Sequence, residues 1–383
     1  MNIRRVNLGQ ACRDKSRGFS LIELMVALVL GLVVVGAVLA VFLANSATVR
    51  AVGGVAQVQE TTRFVAEMFA SDLRQAGYRH CSGLSTKSSA PTPVMPKVTA
   101  TSLPSGLTSN SSGSLMPSAF LQGYECSATS CTPALPTTLA GIGTIPAAGS
   151  TANARVPNTD VIVVRYLAGE GAALEANMAA PDKPVPIRPG AAGWLAPGVG
   201  GVLGFLNQWV LIGDCRGAEI FAPTNYSTGG YIAHGTGRNI SDSLQKAYRS
   251  DGYSRAYLLP RDLVARAYYI AYRQHEGRLI ASLMRLENGS AQAVVDGVER
   301  FDLRYRVDDG SGARMLSANE VDAATAWGSV DAIDTQMLLA SVNNALTASM
   351  NVTYSGATVT PAASDLQLRR TVSFTTQIRN PRG

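Results

Sequence analysis

Hydrophobic residues follow three regimes along this chain. From Leu24 to Ala44, 21 consecutive residues carry neither a charge nor a hydrogen-bonding side chain. As a helix, that run is about 31 Å long, the thickness of a bilayer's hydrocarbon core. From Val55 to Leu73, the residues Val55, Val58, Val65, Met68, Phe69 and Leu73 recur at intervals of three, four and seven. Thr62 fills the gap in this stripe, and Gln57, Glu60, Arg63, Glu67 and Arg74 lie opposite. That period predicts an amphipathic helix laid on a core and ending near Gly77. The Gly53-Gly54 pair between the two halves predicts a bend or local melting.

Past residue 159 the period shortens to that of strands. Asp160 to Leu167 reads as a central strand, because its apolar run is nearly continuous. Gln208–Ile212 and Glu219–Phe221 are short strands around a turn at Gly213-Asp214. Ala267–Tyr272 and Leu279–Leu286 flank Gln274-His275-Glu276-Gly277 and predict a hairpin. Phe301, Leu303, Tyr305 and Val307 alternate with polar residues, as do Val372, Phe374, Thr376 and Ile378 near the C-terminus. Between these two strands, 308–334 reads as a polar insertion, and Met337–Ala348 fits a short helix or a strand. One long helix followed by antiparallel strands defines an α+β fold, with the helix's outer half packed on the sheet.

The third regime has no period. Ser82 to Ser118 is rich in Ser, Thr, Pro and Gly, and Gly141 to Ala154 is again small and polar. These stretches predict an irregular region over 79–159 that decorates the core. The chain therefore divides into a basic leader (1–18), a long helix (19–78, membrane-spanning over about 21–44), the irregular region, and a strand-rich head (160–383).

Charge gives the membrane helix a direction. The chain carries a formal +6, of which residues 1–18 supply +4 through Arg4, Arg5, Arg13, Lys15 and Arg17 against Asp14. A basic segment before the span places residues 1–18 in the cytoplasm and everything past about Asn45 outside. The remaining +2 is spread with mixed signs, so no surface reads as binding nucleic acid. A cleaved secretory signal fits poorly, since the apolar run is too long and no Ala-x-Ala-type site follows it.

Glu23 interrupts the start of the span. An unpaired acid within a membrane helix costs about 2.5–3.5 kcal/mol, so it calls for a partner unless it sits at the headgroups. Together with its neighbours it carries a resemblance. Arg17-Gly18-Phe19-Ser20-Leu21-Ile22-Glu23-Leu24-Met25 resembles the class III signal of type IV prepilins and of type II secretion pseudopilins. The resemblance implies that a prepilin peptidase cuts after Gly18 and methylates the new N-terminus at Phe19. It also implies that Glu23 neutralises the N-terminal ammonium of a neighbouring subunit, each charge offsetting the other's desolvation.

Further stretches resemble the PilW family of minor pilins: Ala70 to Tyr78, Leu211 to Cys215 with Ala218 to Phe221, Val298 to Tyr305, and Arg369 to Phe374. That family implies a pilin-like subunit that primes pilus assembly and stands at the tip, supporting twitching motility, adhesion or DNA uptake. Its partners would be other minor pilins, the major pilin, the inner-membrane assembly platform and the lipid bilayer. The implied route runs from the bacterial inner membrane, with the head in the periplasm, to the pilus or cell surface. Two alternatives remain open: a J-type pseudopilin of type II secretion, which is generally shorter, and a pilus-tip adhesin using 82–158 or 308–334.

Cysteines and histidines add little chemistry. Cys12 is lost with the leader, and Cys81, Cys126, Cys131 and Cys215 allow three pairings. The four-residue loop between Cys126 and Cys131 favours their pairing, which leaves Cys81 for Cys215. The C-x4-C spacing is wrong for a zinc knuckle, and His80, His234 and His275 stand in no metal-binding spacing. Gly198 to Gly204 reads as a glycine-rich turn lacking the strand, Lys-Ser/Thr ending and helix of a phosphate loop. Asp308 to Gly312 reads as a hairpin tip rather than a calcium loop. No cofactor and no catalytic constellation is predicted.

Overall fold

A computed structural model describes residues 20–78, 94–98, 107, 120–196, 201–308, 310 and 312–378. The chain opens in α1 (Leu21–Gln75), then β1 (Val94–Pro96), the hairpin β2 (Leu121–Cys126) and β3 (Cys131–Thr132), and the short pair β4 (Thr138–Leu139) and β5 (Gly143–Thr144). Next come β6 (Val161–Leu167), β7 (Ala172–Ala173), the one-and-a-half-turn α2 (Gly201–Leu206), β8 (Val210–Asp214), β9 (Gly217–Phe221), β10 (Asn225–Ser227), β11 (Tyr231–Ala233) and β12 (Arg255–Leu258). After α3 (Leu259–Asp262) run β13 (Leu263–His275), β14 (Arg278–Glu287), β15 (Ser290–Asp296), β16 (Val298–Asp308) and β17 (Ala313–Leu316). The chain closes with α4 (Ala318–Ala323), β18 (Val330–Ala340), β19 (Val352–Tyr354), β20 (Ala357–Val359) and β21 (Arg369–Gln377).

Three larger sheets and three two-stranded ones result among the described residues. One has six strands in the order β15-β14-β13-β6-β2-β3, one has four in the order β17-β16-β18-β21, and one has five in the order β1-β9-β8-β12-β7. The first two share a core with the outer half of α1: Val58, Val65, Phe69 and Leu73 meet Ile162 and Val164, Tyr268 and Ile270, Phe301 and Tyr305, and Ile333 and Met337. The opposite face of the six-stranded sheet has its own core, where Val161 and Val163 pack with Tyr124, Ile142 and Tyr269. Both faces of β6 are therefore covered, and all seven of its residues are buried. This is why its sequence does not alternate. The five-stranded sheet packs separately around Trp194, Phe205, Phe221 and Tyr248.

Gly297 marks the passage from one sheet to the next. It follows β15 of the six-stranded sheet and precedes β16 of the four-stranded one, with φ of 82°. A Cβ there would come 2.2 Å from the Ala340 carbonyl oxygen, so the crossing needs glycine both for conformation and for space.

Several expectations are corrected. α1 is unbroken across Gly53-Gly54. Gly54 is small for a different reason: a Cβ at this position would lie 2.4 Å from the Cβ of Ala345. The glycine lets the helix approach the 341–345 loop rather than bend. Within 79–159, β2 pairs with β6 from Leu121↔Val164 to Tyr124↔Val161 and fills a place in the six-stranded sheet. Ile142 and Ile145 of the small-residue stretch are buried. The 308–334 stretch is no insertion, since Val321, Trp327, Val330 and Ile333 all enter the main core. Its polar look comes from the Ser317–Glu320 capping box that starts α4 and from the outward positions of β18. Residues 337–340 continue β18 as strand. In the 198–204 segment, residues 201 onward begin α2 rather than a turn.

Candidate functional site

Two acids on α1 meet opposite environments. From Leu21 to Val52 the large apolar side chains are exposed on every side of the helix, Leu21 at 77% and Val41 at 70%. Water does not support such a surface on one unpartnered helix. Among the described residues this is the one helix long and apolar enough to cross a membrane. Where the run ends, Ser46 and Thr48 turn their hydroxyls back to the Leu43 and Ala44 carbonyls at 2.9 and 3.0 Å. Their polar atoms are thus satisfied without leaving the helix. Glu23 lies in the first turn. Ala27 and Gly31 below it open a shallow apolar groove of about 610 Å³ along the same face. Glu23 has no hydrogen bond or ion pair among the described residues.

Asp72 is the second acid, 49 positions along the helix and so about 74 Å away. Its side chain is only 8% exposed, and its carboxylate accepts two bonds from Arg266 Nη1, at 2.8 and 2.9 Å. Tyr166 Oη donates to it at 3.0 Å, and Tyr268 Oη donates to its other oxygen. Arg266 Nε reaches Glu287 at 2.9 Å, so the guanidinium is held on two sides. Burial and the Asp72 carboxylate push both tyrosine hydroxyls well above their ordinary pKa. Burial works against the Arg266 charge, yet its hydrogen bonds to Glu287 and Asp72 hold it above the usual guanidinium value. The helix is thereby clamped to β6, β13 and β14. A second tie lies nearer the membrane, where Gln57 Oε1 accepts the Val342 N–H at 3.3 Å beside the Gly54–Ala345 contact. The span continues into the head as one unbroken helix.

The remaining candidates are dispersed. Gly18 and Phe19 lie outside the described residues. Cys126 and Cys131 form a disulfide across the β2–β3 hairpin, and Cys215 is disulfide-bonded; Cys81, its expected partner, is outside the described residues. His234 Nε2 donates to the Lys183 carbonyl oxygen, 2.9 Å away, inside the five-stranded unit. His275 sits at the end of β13. No group of three His, Cys, Asp or Glu side chains able to hold a metal occurs among the described residues. The Gly310 N–H bonds to Asp308 Oδ1 at 3.2 Å, and Asp308 pairs with Ala313 across β16 and β17.

A third acid, Asp160, stands just ahead of β6. It is 7% exposed and accepts the Cys126 N–H at 3.1 Å and the Leu303 N–H at 2.9 Å, joining the two principal sheets. Burial raises its carboxyl to about 7, against the pull of those two N–H donors and with the help of Asp302 and Glu125 nearby. Asp72 and Arg266 carried a visible signal: an acid inside the helix stripe and a cation inside an apolar strand, each costly unless met by the other.

With this geometry in view, the comparisons are informative at both ends of the chain. Residues 13–39 match the prokaryotic N-terminal methylation motif. Residues 267–380, from β13 to β21, match the model of type IV pilus-assembly protein W. No curated protein matches. A type IV-like pilin from Thermus thermophilus is 16% identical over 31% of this chain and 67% of its own, with a TM-score of 0.18, too slight a likeness to carry weight. An apolar helix bearing the prepilin motif, clamped into a strand-rich head, defines a membrane-anchored pilin-class subunit. Within that class, the similarity of residues 267–380 to type IV pilus-assembly protein W and the N-terminal methylation motif support a type IV pilus minor pilin.

Proposed function

We propose that this subunit primes type IV pilus assembly at the inner membrane and then stands at or near the pilus tip. The carrying observation is the contrast on α1: an apolar half with no partner among the described residues, continuous with a half whose apolar stripe is buried in the head. In this reading the leader faces the cytoplasm and the head faces the periplasm. The prepilin peptidase cuts between Gly18 and Phe19. Residues 21–52 first occupy the bilayer and then a bundle of the same helices from other minor pilins and the major pilin. Small residues such as Ala27 and Gly31 favour such packing, because they let helix backbones approach closely. Glu23 pairs there with a neighbour's N-terminal ammonium. Because the clamp transmits position from helix to head, seating Glu23 in register also seats the head.

Deleting the chain and counting surface pili tests this. Loss of fibres, restored by the wild-type chain but not by Glu23→Ala, is the expected result. Normal piliation with lost attachment would instead support a tip adhesin, and a secretion defect with normal pili would support a pseudopilin.

A further inference from the structure

The outer edge of β21 is built differently from every other sheet edge described. β3 and β7 have two residues, β1 three and β17 four. β15 is longer, but its pairing with β14 is interrupted by a register shift at Leu283/Met284. β21 runs nine residues with unbroken register against β18, from Ala332↔Gln377 to Ala340↔Arg369. Folded proteins blunt long edges with bulges, prolines or shortness, because free N–H and C=O groups recruit another strand. β21 has none of these protections.

Two hydrogen bonds establish which of its backbone groups are free. Ile378 N–H donates to the Asp331 carbonyl and Ser341 N–H donates to the Leu368 carbonyl, at 2.9 and 2.8 Å. Both pairs follow the β18–β21 register, so the even-numbered residues of β21 bond to β18. The N–H and C=O groups of Ser373, Thr375 and Gln377 therefore point away from the sheet. Beside them runs a groove of about 1140 Å³, walled by Ala66, Ala70 and Arg74 of α1 and floored by Phe374. Small side chains on the helix leave room there for a further strand beneath α1.

We propose that this edge is a docking seam for an extended, acid-bearing segment of a different pilin-type subunit, which adds a fifth strand to the four-stranded sheet. Charge selects the occupant. Arg74 and Arg370 flank the seam and make no ion pair among the described residues, while Glu67 is engaged by Arg63 at 3.0 Å. The β21 strand of a second copy, RRTVSFTTQ, bears arginines and no acid, so it offers no counter-charge to Arg74 and Arg370. The groove also lies on the helix that carries the membrane span, so a partner anchored in the same membrane arrives alongside it. This inference rests on the assembly role proposed above.

The test uses the full chain in the piliated cell. Ser373→Pro with Thr375→Pro removes two outward N–H groups and leaves the β18 ladder intact, since edge positions tolerate proline. Ala70→Trp fills the groove by a separate route. Arg74→Glu with Arg370→Glu reverses its charge. A photo-crosslinker at Gln377 reports the neighbour, identified by the peptide it joins. Expected results are native-like melting of each purified variant, at least about tenfold fewer pili, and a crosslink to a strand segment of another prepilin-signal subunit. Normal piliation by folded Ala70→Trp and charge-reversal variants overturns the proposal, as does a crosslink to this same chain. If those variants assemble normally while Glu23→Ala does not, the seam is wrong and the assembly role stands; if Glu23→Ala also assembles normally, both fall.

Discussion

The two halves of α1 are continuous in backbone and opposite in design. The inner half is apolar around its whole circumference and exposed throughout; the outer half is apolar along one stripe, and that stripe is buried. Each half carries an acid in a place where a carboxylate is expensive. Asp72 meets its cost inside the chain, through Arg266, Tyr166 and Tyr268. Glu23 has no such partner among the described residues. The difference separates a contact that folds the subunit from one that, in the proposed function, is completed by another molecule. A third acid, Asp160, shows another solution, with two backbone N–H donors in place of a cation.

The sharpest way to break this comparison is Asp72→Ala. It leaves Arg266, in a site only 20% exposed, held by Glu287 alone of its two acids and takes the acceptor from the Tyr166 and Tyr268 hydroxyls; removing one member of a buried pair costs up to about 3–5 kcal/mol. Chemical denaturation in detergent should show that loss, with part of it recovered in the double variant Asp72→Ala/Arg266→Leu. A loss under about 1 kcal/mol would make the clamp incidental.

Asp160 gives a pH-dependent counterpart. Its carboxyl is raised to about 7 in the fold from an ordinary value near 3.8. Between those values the unfolded chain releases the proton and the folded chain keeps it, so stability is greatest below about pH 4 and falls as pH rises to about 7. The full effect is at most about 4 kcal/mol. Melting temperatures of wild type and Asp160→Asn across that range should diverge, the variant lacking this slope.

Gly54→Leu addresses the tie nearer the membrane. A Cβ 2.4 Å from Ala345 cannot be housed without moving the 341–345 loop, at about 1–3 kcal/mol. Gly53→Leu, one residue away with nothing within 4 Å of its Cβ, should be neutral or slightly stabilising. Equal effects at both glycines would return the pair to the role of a hinge.

The smallest expected effect on folding is that of Glu23→Ala, within about 0.5 kcal/mol for the head. The proposed function places its consequence in assembly, so a change in head stability would mean that Glu23 has a partner within the chain.

Legibility varied with how local the determining physics was. The membrane run, the helix stripe, β6, the β13–β14 hairpin and β16 were readable because each follows a short period or a continuous apolar block. Tyr124 and Ile142 were hidden in small, polar-looking sequence, since their burial depends on a sheet face supplied by residues far along the chain. The 308–334 stretch misled for the same reason: Val321 and Trp327 are isolated apolar residues until β16 comes beside them. The Gly54 contact depends on a loop 291 positions away and leaves no trace in local pattern.

Sequence by itself determined that one end of this protein is a membrane helix with a processing signal and an acid near its start. Those are properties of composition and order, and a bilayer or a peptidase reads them without a fold. Tertiary structure alone decided that Asp72 is satisfied while Glu23 has no partner among the described residues, that Gly54 serves approach rather than bending, and that β21 ends its sheet. Each of these depends on which distant groups arrive within a few ångströms, and linear order does not carry that information.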